Sequence, residues 1–305
     1  MFFENLTYSV LFFNRSMQKN EVCAVIVTWN SAGVVERSLP AIAPQVAEVF
    51  VVDNGSAPEH FASLLEAVKN YSNVHISRNE ENRGIAVALN RGAEEAITKG
   101  YQWIVTLDDN GKAAPDMVEK LFTAYEALTP EDQFGIAIVA PNISNLKGPT
   151  YPSGSAFLVP TTPTTGQLVK SEAWQKIKGY KEDLFIACAD HEFCFRMLAH
   201  GYRTLLVPTA LLFATAGPKP AIRQLLWKKF VVPHYTPDRY YYMYRNSVYL
   251  YLTYWRYVPK WIFKNIVSNI LSFIKILLYE EKRLQKIWMI ARGNWDGLRG
   301  RLGRL

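Results

Sequence analysis

The segment VCAVIVTWNSAGVVERSLPAIAPQVAEVFVVDNGS, residues 22–56, decides the fold. Its two ends, 22–28 and 48–52, are short runs rich in Val and Ile, as strands buried on both faces carry, and residues 31–39 between them predict a helix. Each run closes on polar residues: Thr28-Trp29-Asn30 after the first and Asp53-Asn54-Gly55-Ser56 after the second. The rhythm continues outward. Residues 73–77 and 103–107 predict two more strands, and 59–70, 84–98 and 115–128 predict helices, with Leu64, Leu65 and Val68, then Val87, Leu89, Ala93 and Ile97, at helical spacing. Alternating strand and helix implies an α/β fold: a mostly parallel central sheet flanked by helices.

Past residue 130 the pattern predicts strands at 134–140, 155–159 and 165–169, a helix at 190–200 and strands at 203–207 and 210–213, all extending the same sheet. From 218 onward it reads as helical and aromatic, punctuated by Pro218, Pro220, Pro233, Pro237 and Pro259, with a boundary near 217. The 305 residues are 49% hydrophobic and 13% aromatic, which supports a full core and argues against disorder. Cys23, Cys188 and Cys194 lack metal-type spacing and even pairing, so they read as reduced core thiols, consistent with a cytoplasmic protein. Glu4 stands where an export signal carries positive charge, and the apolar run there is short. Residues 1–16 therefore read as an extension or as sequence ahead of a start at Met17.

The net charge of +7 is unevenly placed. Residues 218–305 hold 17 Lys+Arg and 4 Asp+Glu, or +13, which leaves 17 against 23, or −6, for residues 1–217. A basic, aromatic tail suits anionic lipid headgroups or nucleic-acid phosphates, and its apolar content favours lipid. Within it, 261–279 is long enough to span a bilayer, yet Lys264, Ser268, Ser272 and Lys275 form a polar stripe that suits a helix lying in the interface. The alternative is a core helix of a C-terminal bundle; the flanking Lys260, Lys282, Arg283 and Lys286 favour the membrane surface.

Ligands of open parallel sheets bind just beyond the strand ends. Here those ends carry Thr28 and Asn30, Asp53, and the triplet Asp108-Asp109-Asn110. An Asp at such a place accepts from a base imide or a ribose hydroxyl, and Gly55 permits close backbone approach. Asn82-Arg83-Gly84, ahead of a helix, offers backbone donors and a guanidinium to a diphosphate. Taken singly, each Asp reads equally as a turn or helix-cap residue; three polar ends on one sheet edge favour a ligand.

The ordered set VIVTWN, VVDNGS, NRGIAVALNRG, LDDN, TTGQLV, GYKEDLFIACADHEFCFRMLAHGY, HYTPDRYYYMYRN and WDGLRGRLG, across about residues 22–300, resembles the inverting family 2 glycosyltransferases of GT-A fold. It is most similar to the rhamnosyltransferases of bacterial surface-polysaccharide assembly. The resemblance implies an N-terminal extension (1–21) and a catalytic domain (22–217) with a donor half (22–112) and an acceptor half (113–217). A basic, aromatic, membrane- or acceptor-docking region (218–305) follows.

The resemblance also implies roles. Thr28 and Asn30 would line the base pocket, Asp53 would contact the pyrimidine, Asn82, Arg83 and Gly84 would flank the donor, and Asp108 would hold ribose or sugar. Thr165, Gly166, Glu192, His234, Arg239 and Arg245 fall in the acceptor or phosphate region. Asp190 matches the general base, with Glu192 an alternative; the purely structural reading makes Asp190 a helix cap and pairs Glu192 with Arg196. His191 and His200 read as packing residues. Tyr240, Tyr241, Tyr242 and Tyr244 read as an amphipathic interface.

Two positions depart from the family. Its metal-binding Asp is Asn110 here, and its His-x-x-Gly reads Ala214-Thr215-Ala216-Gly217. Asp109 and Asn110 are what is left to hold Mg²⁺ or Mn²⁺, so Arg83, Lys112, Arg239 or Arg245 would neutralise the departing diphosphate.

The implied activity is transfer of a sugar, L-rhamnose from dTDP-rhamnose, from a dTDP- or UDP-linked donor onto a lipid-linked or polysaccharide acceptor of O-antigen or capsule. It would act at the inner face of the cytoplasmic membrane, with no nucleic-acid partner. A galactofuranosyl or other hexosyl transferase, or a non-catalytic nucleotide-sugar-binding scaffold, is the alternative.

Overall fold

The computed structural model describes residues 19–31, 34–145, 148–214, 221–225, 228–232 and 234–305. Most of the proposed 1–21 extension, Pro218, Pro220 and Pro233, and the boundary near 217 lie outside them.

Strand β1 (Val22–Thr28) leads through a short helix α1 (Leu39–Ile42) to β2 (Glu48–Asp53); α2 (Pro58–Val68), β3 (Val74–Arg78), α3 (Ile85–Thr98) and β4 (Trp103–Asp108) follow. The four strands lie in parallel in the spatial order β3-β2-β1-β4. Their register matters most. Thr28 is level with Asp53, Val27 with Asp108, and Asp53 with Arg78, so the polar strand ends share one edge. Along β1 every side chain is buried. Val22, Ala24 and Ile26 pack toward α1, α2 and the later helix Met117–Glu126, and Cys23, Val25 and Val27 toward α3.

The second half adds β5 (Gly111–Ala113), α4 (Met117–Glu126), α5 (Pro130–Gly135), β6 (Ile136–Asn145), β7 (Gly148–Pro149), β8 (Phe157–Val159), β9 (Leu168–Lys170), α6 (Ser171–Ile177), α7 (Ala189–Ala199) and β10 (Arg203–Ala214). It extends the same sheet as expected, through β9, β6, β10 and β5, but mixes directions: β9 is antiparallel to β4 and β6, while β6 and β10 are parallel. The expected strands at 203–207 and 210–213 are one strand with a register shift between Val207 and Leu211. Helix α6 and strand β5 carried no sequence signal, being shorter than the periodicity that identifies such elements.

The region after 217 is not helical throughout. An antiparallel hairpin, β11 (Ala221–Leu225) and β12 (Lys228–Val232), precedes α8 (Pro237–Tyr254), α9 (Pro259–Tyr279) and α10 (Arg283–Leu298). The tyrosines of α8 are internal struts rather than an interface. Tyr240 donates to Glu280, Tyr241 to Asp296 Oδ2 (3.0 Å) and Tyr244 to the Asn269 carbonyl (2.7 Å), while Tyr242 accepts from the Leu305 amide (2.7 Å). Helix α9 is no core helix: of its side chains only Ile262 and Ile276 are buried. Phe263, Val267, Ile270, Leu271, Ile274 and Leu278 form an exposed apolar row along it. The polar stripe is split, since Ser272 bonds Tyr244 while Lys264 and Ser268 face solvent.

Lys286, one of the flanking cations expected to favour the membrane surface, is buried, its ammonium 2.5 Å from the buried Glu280 carboxylate. A buried pair is sensitive to loss of one partner, because the other charge is left without compensation. Lys286→Met is therefore expected to cost about 3–5 kcal/mol in urea unfolding, and adding Glu280→Gln to recover most of that loss. Equal stability of the single and double variants would count against an ion pair here.

Candidate active site

The shared strand edge opens into a cleft of about 650 Å³. Asp53 is not itself in the lining: it lies behind it, level with the lining residue Thr28 and next to the lining residue Asn54. It is 1% exposed, its Oδ2 accepting from the Ser56 amide (3.2 Å) and meeting Arg78 Nε at 3.2 Å. Asp53 Oδ1 is buried without any partner, as is the hydroxyl of Thr28 on the neighbouring strand. An unpaired buried acceptor costs about 1–3 kcal/mol, a cost that an incoming N–H donor removes. The imide of a pyrimidine base has that donor. Arg78 was missed in the sequence, where nothing but its level with Asp53 in the register would have revealed it.

Asn30 does not line the cleft: its Oδ1 accepts from the Ala57 amide and its own amide donates to Ser56 Oγ, both at 2.8 Å, which fixes the entry to α2. Gly55, at φ +78°, serves chain packing, because a Cβ there would lie 2.4 Å from the Glu81 backbone. The phosphate cradle expected at 82–84 is also closed. The Arg83 amide donates to Asn54 Oδ1, that of Gly84 to Asn82 Oδ1 and that of Ile85 to the Phe185 carbonyl, so those donors are committed within the protein. Asn82 and Gly84 do line the cleft; the Arg83 side chain is exposed and is not among the lining residues.

Asp108, Asp109 and Asn110 all line the cleft. Asp108 Oδ1 accepts from Thr165 Oγ1 (3.0 Å), while Ser38, wholly buried, ties the carbonyls of Asp108 and Gly111 together. Burial raises the Asp108 carboxyl above its usual range, and the adjoining Asp109 adds to the rise. Asp109 is raised by burial too, against the opposing bond from Ser31. Gly166 lies behind Thr165, its amide held by the Thr106 carbonyl (2.6 Å), outside the cleft lining.

Across the cleft Asp190 sits in the first turn of α7, its Oδ1 accepting from the His191 amide (2.8 Å). The chain ahead of it bends sharply: Phe185, Ala187 and Cys188 have φ of 60°, 66° and 61°, values that side-chain-bearing residues rarely adopt. Two residues of α8 hold that bend. Asn246 Nδ2 donates to the carbonyls of Leu184, Ile186 and Ala187 (2.9–3.0 Å), and Arg245 to those of Asp183 and Leu184 (3.2 Å each) and of Gly303 (2.5 Å).

Arg245 is thus a buried clamp and not an acceptor or phosphate ligand. Glu192 is likewise removed from chemistry: it is 1% exposed, bridges both Arg196 nitrogens at 2.9 Å and accepts from Tyr254 (2.8 Å), as the purely structural reading had it. His234 is exposed and outside the lining, whereas Tyr235 and Arg239 are in it. His191, read as a packing residue, lines the cleft with its Nδ1 2.8 Å from Thr161 Oγ1 and its ring edge-on to Trp261.

Residues 23–195 match the family model described as glycosyl transferase family 2. The chain belongs to that family. It is 24% identical over 301 residues to the dTDP-rhamnosyl transferase RfbF of Shigella flexneri, covering 93% of this chain and 97% of that one. Among solved structures it resembles GalNAc-T7 with UDP, GalNAc and Mn²⁺ (TM-score 0.59, 15% identity, 90% of this chain and 56% of that one). TarS 1-349 of S. aureus is similar too (TM-score 0.51, 14% identity, 92% and 72%). Both share the GT-A fold with this chain.

The two departures from the metal-binding pattern that the resemblance implies fall together in the fold. Ala214 lies directly opposite Gly111 in the β5–β10 ladder, so the two departures, Asn110 and Ala214, are neighbours in space. Among the described residues no group of three or more His, Cys, Asp and Glu is placed to hold a metal. Asp109 is engaged by Ser31, and Asn110 offers a neutral oxygen. This donor set does not fit a tightly held divalent cation.

The raised carboxyl of Asp108 has a thermodynamic sign. A carboxyl that holds its proton more tightly when folded contributes stability below its unfolded pKa and loses it as pH rises through the folded one. The Asp108 carboxyl therefore contributes less to stability at neutral pH than in acid. Asp108→Asn is expected to raise the thermal midpoint at pH 7 by about 1–3 °C, with the difference vanishing toward pH 4, while shrinking the further rise caused by added nucleotide. A midpoint lowered at pH 7 would contradict this.

Proposed function

We propose that this glycosyltransferase moves L-rhamnose from dTDP-rhamnose, with inversion, onto a lipid-linked glycan of bacterial surface polysaccharide at the inner face of the cytoplasmic membrane. The observation that carries the reading is a single cleft lined by Thr28, whose buried hydroxyl has no partner, by Asp108 and by Asp190, with the partnerless Asp53 oxygen on the strand next to Thr28. Similarity to RfbF along nearly the whole chain supports rhamnose and dTDP over other donors, and the exposed apolar row of α9 supports membrane contact.

In this reading the base imide donates to Asp53 Oδ1, and the sugar is presented near Asp108. Asp190 takes the proton of the acceptor hydroxyl as that oxygen attacks the anomeric carbon from the face opposite the diphosphate. The bond from the anomeric carbon to the diphosphate oxygen breaks, and the diphosphate leaves with the electron pair. Of the four cations considered for neutralising it, Arg239 is the one that lines the cleft among the described residues; it rests on the Tyr235 ring at 4.4 Å. A guanidinium there would do for the leaving group what charge stabilisation does generally in such sites.

Incorporation of labelled rhamnose from dTDP-rhamnose into the lipid extract of membranes tests the reading. Asp190→Asn is expected to lower turnover about 10²–10⁴-fold with the nucleotide-induced thermal shift intact. Arg239→Ala is expected to lower it about 10²–10³-fold, and EDTA to leave activity at least in part. Full activity in Asp190→Asn removes that residue as the base, and complete, Mn²⁺-reversible loss in EDTA removes Arg239 from its role. Nucleotide binding without turnover of any donor would instead favour the scaffold reading, to which the lost metal ligands lend support.

A further inference from the structure

Beside the cleft lies a second cavity of about 330 Å³ between α8, α9 and α10, lined chiefly by Tyr244, Val248, Tyr251, Ile270, Phe273 and Ile290. We infer that this groove receives the hydrocarbon chain of the acceptor lipid, an inference that rests on the lipid-linked acceptor proposed above.

The two cavities are contiguous. Ser247 and Asn269 line both. On α8, Arg239, Met243 and Ser247 recur every four residues along the cleft, and Val248 and Tyr251, just beyond, turn into the groove. On α9, Asn265 and Asn269 face the cleft, while Ile266 and Ile270, each one residue on, face the groove. The seam between them is polar: Tyr251 donates to Asn265 Oδ1 (2.5 Å) and accepts from Asn269 Nδ2 (2.9 Å).

At its other side the groove opens outward. Ile266 is 38% and Ile270 55% exposed, and both belong to the apolar surface that continues through Phe263, Val267 and Leu271. An apolar path therefore runs from the outer surface of α9, through the groove, to a polar seam at the edge of the cleft. That sequence of environments matches one kind of molecule: an amphiphile whose chain enters from a bilayer and whose polar head ends beside the donor sugar. A polar acceptor needs no such path. A protein laid over α9 would cover the outer row alone, so the continuity with the cleft selects the chain.

Crosslinking of the full chain with a benzophenone-bearing polyprenyl phosphate in detergent micelles tests the groove, with isopentenyl phosphate as the headgroup control. Label is expected on peptides containing Val248, Tyr251, Ile270 and Phe273, displaced by untagged polyprenyl phosphate and not by isopentenyl phosphate. Ile270→Trp, at a half-exposed position that tolerates bulk, is expected to weaken polyprenyl phosphate binding about tenfold, the equivalent of about two buried methylenes. Label confined to Phe263, Val267 and Leu271, or undiminished binding by Ile270→Trp, overturns the groove. Entry of labelled sugar into the lipid extract is followed in parallel. Its presence without groove labelling overturns the groove alone, whereas its absence overturns the lipid-linked acceptor and this inference with it.

Discussion

Four backbone carbonyls in the segment 183–187 turn away from regular structure and accept from two side chains on α8; those of Asp183 and Leu184 also take a backbone amide, whereas those of Ile186 and Ala187 rely on Asn246. Carbonyls buried without partners cost about 1–3 kcal/mol each, and left-handed φ at Phe185, Ala187 and Cys188 adds backbone strain. The Arg245–Asn246 pair offsets these terms and so fixes the course of the chain into α7, where Asp190 begins the helix. The same loop supplies Phe185 to Cys188 to the cleft wall and accepts the Ile85 amide through Phe185. The C-terminal helices consequently brace one wall of the cleft, in addition to presenting the exposed apolar row of α9.

The parallel half of the fold was legible because it is governed by local rules. Apolar runs bounded by polar residues, alternating with helical periodicity, specify buried parallel strands, and register then follows from aligning their ends. Thr28, Asp53 and Asp108 reach one edge for that reason. The hairpin β11–β12 was not legible, since Pro-punctuated basic sequence carries no alternation to mark it. Charged residues misled in a consistent way: Glu192, Arg245 and Lys286 look like surface or catalytic groups in a string of letters, yet tertiary packing has buried each beside a partner. Asn246 gave no sign, because an amide that braces a distant loop has no local pattern.

The site is held at some cost to the fold. Asp53 keeps a carboxylate oxygen unpaired, Thr28 keeps a hydroxyl unpaired, and Asp108 and Asp109 are ionisable groups placed side by side with their carboxyls raised. A ligand that donated to these oxygens would relieve such features, which is the sense in which the proposed nucleotide site carries unsatisfied polarity. On the proposed reading Asn110 lowers the negative charge of the triplet, and Arg239 on α8, which lines the same cleft, supplies a guanidinium.

The last residues of the chain complete the loop that carries Asp190. The Gly303 amide donates to the Asp183 carbonyl (2.7 Å), Arg245 reaches the Gly303 carbonyl, and Arg304 meets Glu81 at 2.6 Å. Chains are synthesised from the N-terminus, and their early segments fold first. The parallel half can therefore assemble before Arg245, Asn246 and Gly303 have been made, whereas the bend before α7 is secured only once they have. One wall of the cleft thus waits on sequence some sixty to a hundred and twenty residues further along the chain.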